Sequence, residues 1–557
     1  MAVGLLHGRA RDFRCGTGER AAQRVRDQRA RLARSDGSDL ADVVQPRTGP
    51  PARQHVVSRH PHCHGVGRGL SRLDSHSSAR HRHHRRIRCG RPGFREVLMQ
   101  LLFLEHLSAP PGTLLEWTAL AEPGPTPDAT PASSNQTIHL SSDGPTTWLA
   151  ATFDVAGPID ESALQTAFSV WLPRHDALHC SFTPPADGNP PTVHVVADTD
   201  IRLVPRPAVQ TSSTEDLRTV LGARLDEACA PFSFAPYFLG AVSRPETSTV
   251  ICGFDHAVCD AWSITIAVTE LDVLYRAALE DGPDGAAAAA DGLPETGSFL
   301  SYATREAAVP AAGTGPLIRA WRDFLHAAGN DLPHFPLDLG LPAGTLGPFG
   351  SDSRLLLGAM ATDALHRKSR ADGYSMFAAL LAAVALAAAE LGGRAGTDLV
   401  FPVHTRREPR HHNTFGWLVA NAPAHVPVAH DFCATAQGAD QAIRTGQRLA
   451  QVPATQFLAA LGADLRRTRK DLFSVSYTDY RRLPGGSRSD TTRTVPRNPA
   501  QFSRSAPLDD VQMWFTRTDD GLALRTRFPV TPTAGPLLGE FLDRVAATLS
   551  AAISVRV

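Results

Sequence analysis

The stretch that decides the fold is "ICGFDHAVCDAW", residues 251–262. A short apolar run ends at Phe254, and His256 and Asp260 follow it four residues apart. Beyond Trp262 the apolar residues recur at helical spacing, so the stretch predicts a strand, a tight turn that carries the histidine, and a helix. A histidine in such a turn can point into a cleft and transfer protons, because its pKa lies near neutrality. By itself the pattern is weak evidence for catalysis, because a His–Asp pair at this spacing is common, and a polar residue that only ends a strand is the simpler interpretation.

The chain on both sides of this stretch mixes strands with helices. Upstream, "TWLAATFDVAG" alternates as a strand does, and Asp160 is placed to cap the helix that follows. The segments "YFLGAVS" and "STVICGF" predict an antiparallel pair of strands. Downstream, residues 374–391 predict a buried helix, and "VQMWFTRTDDGLALRTRF" predicts a hairpin that turns at Asp520–Gly521. We therefore expect an α/β (α+β) fold.

Composition suggests where the domains begin and end. Residues 281–297, "DGPDGAAAAADGLPETG", are rich in Gly, Ala and Pro and are predicted to be a linker. This linker separates an N-terminal lobe, residues 99–280, from a C-terminal lobe, residues 298–557. The Pro/Ser/Thr-rich segment "AEPGPTPDATPASSNQT" is expected to be a connector, and "GGSRSDTTRTVPRNPAQFSRS" a loop.

Residues 1–98 differ in kind from the rest of the chain. They hold 21 Arg and no Lys against 6 Asp and 2 Glu, a net charge of +13, within a chain of 557 residues whose formal net charge is zero. No helical or strand period orders them, so we expect a disordered Arg/His-rich extension, with the functional protein starting near Met99. Weaker alternatives are a nucleic-acid-binding tail and a metal site in "RHPHCHG".

Eight cysteines in a chain of this length, with no CxxC pair, do not suggest a disulfide framework or a structural zinc site. The N-terminal residues lack the apolar core of a signal peptide. The longest apolar run, residues 376–389, is shorter than the roughly 20 residues that a membrane span requires. We therefore expect a cytoplasmic protein that binds no metal.

The turn residues belong to a recognisable pattern. "DHAVCDA", residues 255–261, resembles the H-H-x-x-x-D-G signature of the condensation-domain superfamily, and "RHDALHCSF", residues 174–182, resembles its R-H-E-x-L-R-T-x-F signature. The order and spacing of the two segments also agree. "FPVHTRREPRHHNTFGWLVANAP" further resembles a strand, arginine and "FGW" element of these proteins. The superfamily includes the condensation domains of nonribosomal peptide synthetases and the polyketide-associated acyltransferases.

The resemblance implies the chloramphenicol acetyltransferase-like fold, in which two lobes, each a mixed sheet flanked by helices, form a V with a tunnel between them. It also implies transfer of an acyl group from a thioester to a hydroxyl or amine, in secondary-metabolite or lipid biosynthesis. The donor would be a phosphopantetheinyl or coenzyme A thioester, with no permanently bound cofactor. The expected partners are an acyl or peptidyl carrier protein acting in trans and a small-molecule acceptor, for a protein that is expected to be a monomer.

Particular residues carry the roles that the resemblance implies. His256 would help to remove the acceptor's proton, and Asp260 would form a structural ion pair with Arg406 or, alternatively, with Arg174. The remaining site residues are motif neighbours: Asp255, Ala261, Trp262, Gly416 and Trp417. The two tryptophans are expected to pack under the site, and Ser263 to cap the following helix.

Two departures from the signature leave a second function open. Asp255 stands where the family has its first histidine, and Ala261 stands where the family has a glycine that a positive φ would require. A catalytically degenerate module that recruits a carrier protein or a partner enzyme is therefore the alternative to an active acyltransferase. The intact His256 and Asp260 favour activity.

Overall fold

The computed structural model describes residues 99–121, 130–142, 147–186, 189–197, 200–392, 394–484 and 496–554. The predictions for residues 1–98, including the basic and His-rich stretches, lie outside these ranges. The strands are β1 Gln100–Phe103, β2 Thr113–Ala121, β3 Thr130–Pro131, β4 Trp148–Ala156, β5 Cys180–Thr183, β6 Thr192–Val195, β7 Ile201–Pro205, β8 Val209–Gln210, β9 Tyr237–Ser243, β10 Thr247–Asp255, β11 Phe349–Gly358, β12 Gly396–His404, β13 Val419–Pro427, β14 Ser474–Asp479, β15 Arg497–Ser503, β16 Gln512–Thr518 and β17 Gly521–Pro529. The α-helices are α1 Ser134–Leu140, α2 Glu161–Trp171, α3 Thr214–Ala228, α4 Ala261–Gly292, α5 Phe299–Ala307, α6 Ala311–Ala327, α7 Ala359–Ala371, α8 Met376–Gly392, α9 Phe432–Leu449, α10 Ala454–Leu461 and α11 Ala534–Ser554.

The first large sheet places the signature turn. Its strand order is β1-β15-β4-β10-β9-β2-β7, with β8 also paired to β2. Strand β10 lies inside this sheet and is buried on both faces, because successive side chains point to opposite sides. Val250, Cys252 and Phe254 pack in the cluster that contains α2 and α4, whereas Ile251 packs against α3. The signature turn therefore begins at Asp255, where the buried strand β10 ends at the edge of the sheet.

The second large sheet has the order β11-β17-β16-β14-β12-β13. Leu399 and Phe401 of β12 pack in the cluster that contains α7, α8, α9 and α11, and Val400 packs on the opposite side, against α6 and α10. Each large sheet is thus flanked by helices, which confirms the expected α/β class. The predicted hairpin is strands β16 and β17, joined by Asp519 and Asp520, because Gly521 already pairs with Thr518.

The predicted buried helix near residues 374–391 is α8, whose alanine-rich surface packs in the core. Within the described ranges no single helix has both the length and the apolarity to cross a membrane. Helices α7 and α8 meet that criterion only when taken together, and they are bent by 99° at their junction.

The structure corrects the predicted linker. Residues 281–292 continue helix α4, with a kink at Asp281 and Gly282, where Gly282 has a φ of 62°. The alanine run has a high helix propensity, and Ala286 is buried in the core, so composition that resembles a linker forms a helix here. Pro283 follows the kink at the start of the second segment, where a helix tolerates proline. The extended connection is confined to residues 293–297.

A second correction concerns the predicted loop at residues 485–505 and the lobe boundary. Residues 497–503 form β15, which pairs in parallel with β1 and antiparallel with β4. This strand comes from the part of the sequence assigned to the C-terminal lobe, yet it belongs to the sheet of the N-terminal lobe. Phe502 is buried against Trp148, and Gln501 accepts a hydrogen bond from the Tyr480 hydroxyl. Residues 485–495 lie outside the described ranges.

Candidate active site

The signature turn presents His256 between strand β10 and helix α4. The backbone N–H of Val258 donates to the carbonyl of Asp255, which closes the turn. The His256 Nδ1 lies 2.9 Å from the Cys259 carbonyl oxygen, so a neutral ring carries its proton on Nδ1 and its acceptor lone pair on Nε2. Burial raises the pKa of the Cys259 thiol well above its usual range, so this thiol stays protonated and is a poor nucleophile.

The imidazole of His256 is held in a dry environment. His256 is 3% exposed, and its ring stacks on Trp417 with the ring centroids 3.7 Å apart and an angle of 26° between the ring planes. Burial, together with the positive field of His139, lowers the pKa of His256 well below its usual range, despite the opposing effect of Asp255. The ring is therefore neutral at physiological pH, which is the form that accepts a proton.

Asp260 and Arg406 form a buried, two-pronged ion pair beneath the turn. The Arg406 Nη1 lies 2.6 Å from Asp260 Oδ2, and its Nη2 lies 2.9 Å from Oδ1. The Arg406 side chain is fully buried and that of Asp260 is 3% exposed. Burial by itself would raise the pKa of Asp260, but Arg406 and the hydrogen bonds from Ser263 hold it below its usual value. Both groups are therefore charged and neutralise each other.

Arg174, the alternative partner for Asp260, lies elsewhere. Its guanidinium binds Glu270 at 3.2 Å and donates to the carbonyls of Ala290 and Pro294. The neighbouring Asp176 accepts from the backbone N–H of Phe299 at the start of α5. Arg174 and Asp176 of the second signature thus bind residues 290–299, which connect the two halves of the chain, and Arg174 does not contact Asp260.

Ser263 does not cap helix α4, as the sequence suggested; Asp260 does. The Asp260 Oδ1 accepts from the backbone N–H of Ser263 at 2.8 Å. The Ser263 hydroxyl instead donates to Asp260 and to the Gly416 carbonyl, and it accepts from the Gly416 N–H at 3.0 Å. One serine therefore connects the helix of the first signature to the "FGW" segment that carries Trp417.

The two departures from the signature are accommodated. Ala261 is the first residue of α4, and its φ is not positive, so alanine causes no strain there. Asp255 is fully buried, and its Oδ1 accepts from the Ala257 N–H at 2.8 Å and lies 2.8 Å from the His139 Nε2. The carboxylate therefore has a hydrogen-bonding role in the turn.

The sequence prediction missed helix α1, which carries His139. The predicted connector covers residues 121–137 and so includes the first half of this helix, but Ser133 and Gln136 form a capping box and the helix packs on the signature turn. The Gln136 Nε2 donates to the Ala257 carbonyl at 2.9 Å. The S-x-x-Q spacing at residues 133–136 was the available signal.

Two cavities share Val419 in their linings, and one of them reaches the signature turn. One, of about 380 Å³, is lined by Asp260, Ala261, Trp262 and Arg406 and by aromatic side chains on or directly after strands of the second sheet: Tyr477, Tyr480, Trp514 and Phe515. The other, of about 400 Å³, is more polar and includes Ser134, Asn135, Glu306, Arg407 and Asn421. His256 lines neither cavity; Trp417, next to Val419, covers one face of its ring. Trp262 contacts a cavity, whereas Trp417 is buried.

Gly416 is predicted to tolerate no side chain. Its φ is 145°, and an added Cβ would overlap the ring of Phe299, which is fully buried. We expect Gly416→Ala to lower the free energy of unfolding by about 2 kcal/mol, measured by urea denaturation. Gly535→Ala is the control, because open space surrounds Gly535 and helix α11 contains it. Equal stabilities of the two variants would contradict the prediction.

Comparison with known proteins gives consistent matches. The sequence model of the family described as "Condensation domain" matches residues 128–481. The trehalose-2-sulfate acyltransferase PapA2 of Mycobacterium tuberculosis is 25% identical over 407 residues, which cover 70% of this chain and 81% of that protein. The phosphinothricin tripeptide synthetase PhsC of Streptomyces viridochromogenes is 24% identical over 371 residues, 63% of this chain and 30% of that protein.

Solved structures agree in fold. The structure titled "PapA2 acyl transferase" aligns with a TM-score of 0.72 and 22% identity, covering 82% of this chain and 100% of that chain. The X-domain from teicoplanin biosynthesis aligns with a TM-score of 0.58 and 17% identity, covering 78% and 96% of the two chains.

Proposed function

Because this chain belongs to the condensation-domain family, we propose that His256 serves as the base with which it moves an acyl group from a carrier-protein or coenzyme A thioester to a hydroxyl or amine. The family membership and the similarity to PapA2 make the chain an acyltransferase of secondary-metabolite or lipid biosynthesis. The identities of the donor, the acceptor and the carrier protein are part of the proposal.

The observation that carries the proposal is the buried, neutral imidazole of His256. Its Nδ1 is engaged by the Cys259 carbonyl, and its face is covered by Trp417, so a substrate proton would approach the ring edge at Nε2. The acceptor's O–H or N–H would pass its proton to Nε2 as the oxygen or nitrogen attacks the thioester carbonyl. The C–S bond then breaks, the acyl group stays on the acceptor, and the thiolate takes up the proton. General base catalysis of this kind contributes about 10²- to 10⁴-fold.

The remaining rate enhancement would come from holding two substrates together. The two cavities have Val419, which packs on Trp417, in both linings, and we propose that a donor and an acceptor bound in them reach His256 when Trp417 and its neighbours move aside. The frame around them is stiff, because the Asp260–Arg406 pair joins the signature turn to the segment that carries Trp417. We propose that this frame fixes the direction of Nε2.

The direct test is acyl transfer measured by intact mass. Carrier proteins loaded with acyl groups of different lengths, and the matching acyl-coenzyme A thioesters, would be incubated with hydroxyl- and amine-bearing acceptors. We expect enzyme-dependent loss of the acyl mass from one donor class and its appearance on an acceptor. The degenerate module instead predicts binding of a loaded carrier protein without transfer to any acceptor, and that result would overturn the proposal.

The pH dependence provides a separate prediction. A lowered His256 pKa means that the ring stays neutral well below pH 6.5, the usual histidine value. We expect kcat/KM to stay level as the pH falls from 7.5 to about 6 and to decline only at lower pH. The same shift destabilises the folded state as the pH falls below 6.5, since only the unfolded chain then takes up the proton readily. A decline in kcat/KM centred at pH 6.5 or above would contradict the prediction.

A further inference from the structure

Helix α1 brings a second histidine to the signature turn, and neither signature contains it. The His139 Nε2 lies 2.8 Å from the Asp255 Oδ1. Asp255 is fully buried and the His139 side chain is 9% exposed, so water competes little for this hydrogen bond. The contact joins parts of the chain that are 116 residues apart.

The same helix is fixed to the turn by a second side chain. Gln136 and His139 lie three residues apart and therefore on one face of α1. Gln136 binds the Ala257 carbonyl, and His139 binds Asp255, whose Oδ1 also receives the Ala257 N–H. The two peptide groups that flank Ala257, the residue after His256, are thus held from α1, one directly by Gln136 and one through Asp255, so a shift of this helix would move the base.

His139 also contacts the ring that covers His256. Its imidazole meets Trp417 edge-on, with centroids 5.7 Å apart and planes at 75°. Trp417 in turn stacks on His256, whose centroid lies 6.5 Å from that of His139. The three rings therefore form a compact triangle, and the His139 ring in it is anchored to Asp255.

We propose that His139 and Asp255 form a hydrogen-bonded pair that does the work of the family's first signature histidine by positioning His256 and Trp417 for acyl transfer. The proposal rests on the proposed function of His256. In this chain Asp255, at the first position of the signature, accepts the hydrogen bond, and His139 on the separate helix α1 supplies the imidazole. His139 and Asp255 are positioning residues: they hold the peptides and the ring around the base.

The test compares His139→Phe, His139→Gln and Asp255→Asn. Phenylalanine keeps a ring beside Trp417 and cannot donate a hydrogen bond, whereas glutamine keeps an N–H donor. We expect His139→Phe to lower kcat by about 10- to 100-fold with KM changed less than about twofold, because misplacing a catalytic group acts on the chemical step. His139→Gln should recover part of this loss. Asp255→Asn keeps the shape of the side chain and should also lower kcat. This variant tests the pair in case His139→Phe does not fold.

A second measurement needs no substrate. Within the part of the chain that the structure describes, the groups that act on the His256 charge are Asp255, which precedes it, and His139 on α1, while Asp260 is neutralised by Arg406. Because His139 lowers the pKa of His256, we expect the His139→Phe substitution to raise that pKa, as followed by NMR of histidine-labelled protein with the signal assigned from His256→Asn.

His334→Phe is the matched control. His334 Nδ1 lies 3.0 Å from Oδ2 of the fully buried Asp510, which makes it another histidine–aspartate pair, remote from the turn. We expect this variant to lose stability without changing kcat or the titration of His256. If His139→Phe behaves like the control, His139 only packs and the proposal is overturned. If the His256 titration shifts in His139→Phe but the wild type transfers no acyl group from any donor, the pair stands and the proposed function fails.

Discussion

Replacing His256 with alanine should remove acyl transfer while the protein stays folded. The substitution deletes the group that accepts the acceptor's proton, and we expect kcat to fall about 10³-fold, within the range that a positioned base contributes. The turn should survive, because its closure depends on backbone hydrogen bonds and on Asp255 and Asp260, which the substitution leaves in place. Intact-mass transfer assays and circular dichroism would measure the two effects.

His404 provides the competing assignment. This histidine lines the same cavity as Asp260 and Trp262, and its ring lies 5.3 Å from that of Trp262. Burial and the positive charge of Arg406 lower its pKa, so it is also neutral near pH 7. Loss of transfer in His404→Ala, with full turnover in His256→Ala, would assign the base to His404 and contradict our prediction.

Removing Asp260 should have the largest effect on stability. Asp260→Ala leaves the fully buried Arg406 guanidinium without its counter-charge, and such an orphaned ion costs about 3–5 kcal/mol of unfolding free energy. The variant also loses the N-cap of α4 and the acceptor for the Leu418 N–H. Chemical denaturation, with activity measured below the unfolding transition, would show the loss.

Two variants separate the contributions of charge and of capping. Asp260→Asn keeps an acceptor for the Ser263 N–H but removes the charge, so we expect its stability to lie between those of the wild type and Asp260→Ala. Glu540→Ala breaks an exposed pair with Arg544, and we expect it to change the stability far less than Asp260→Ala does, because water screens surface ion pairs. If Asp260→Ala unfolds at the same denaturant concentration as Glu540→Ala, the ion pair contributes no more than a surface contact.

The ion pair also has a defined response to acid. Because the folded-state pKa of Asp260 is lowered, its contribution to stability is complete above the unfolded value near pH 3.8 and is lost as the pH falls through the folded value. The wild type should therefore lose this contribution only in strong acid. Asp260→Asn should lack that acid-dependent component altogether.

The sequence by itself determined the features that depend on neighbouring residues. The strand, turn and helix between residues 251 and 278 follow from the apolar spacing, and Asp160 caps α2 as predicted, since its side chain reaches the Ala163 N–H only three residues away. The buried helix α8 follows from its apolar run for the same reason. The two signatures and their order were enough to identify the family, which the match over residues 128–481 confirms.

Only the tertiary structure decided which distant groups meet. In the folded chain the partner of Asp260 is Arg406, 146 residues away, and not Arg174. His139 reaches Asp255 from helix α1, which the sequence prediction had missed. The tertiary structure also placed β15 in the sheet of the other half of the chain. The physical reason is the same in each case: buried charges and unpaired strand edges must find partners, and chain folding, which leaves no local pattern, determines which partners are within reach.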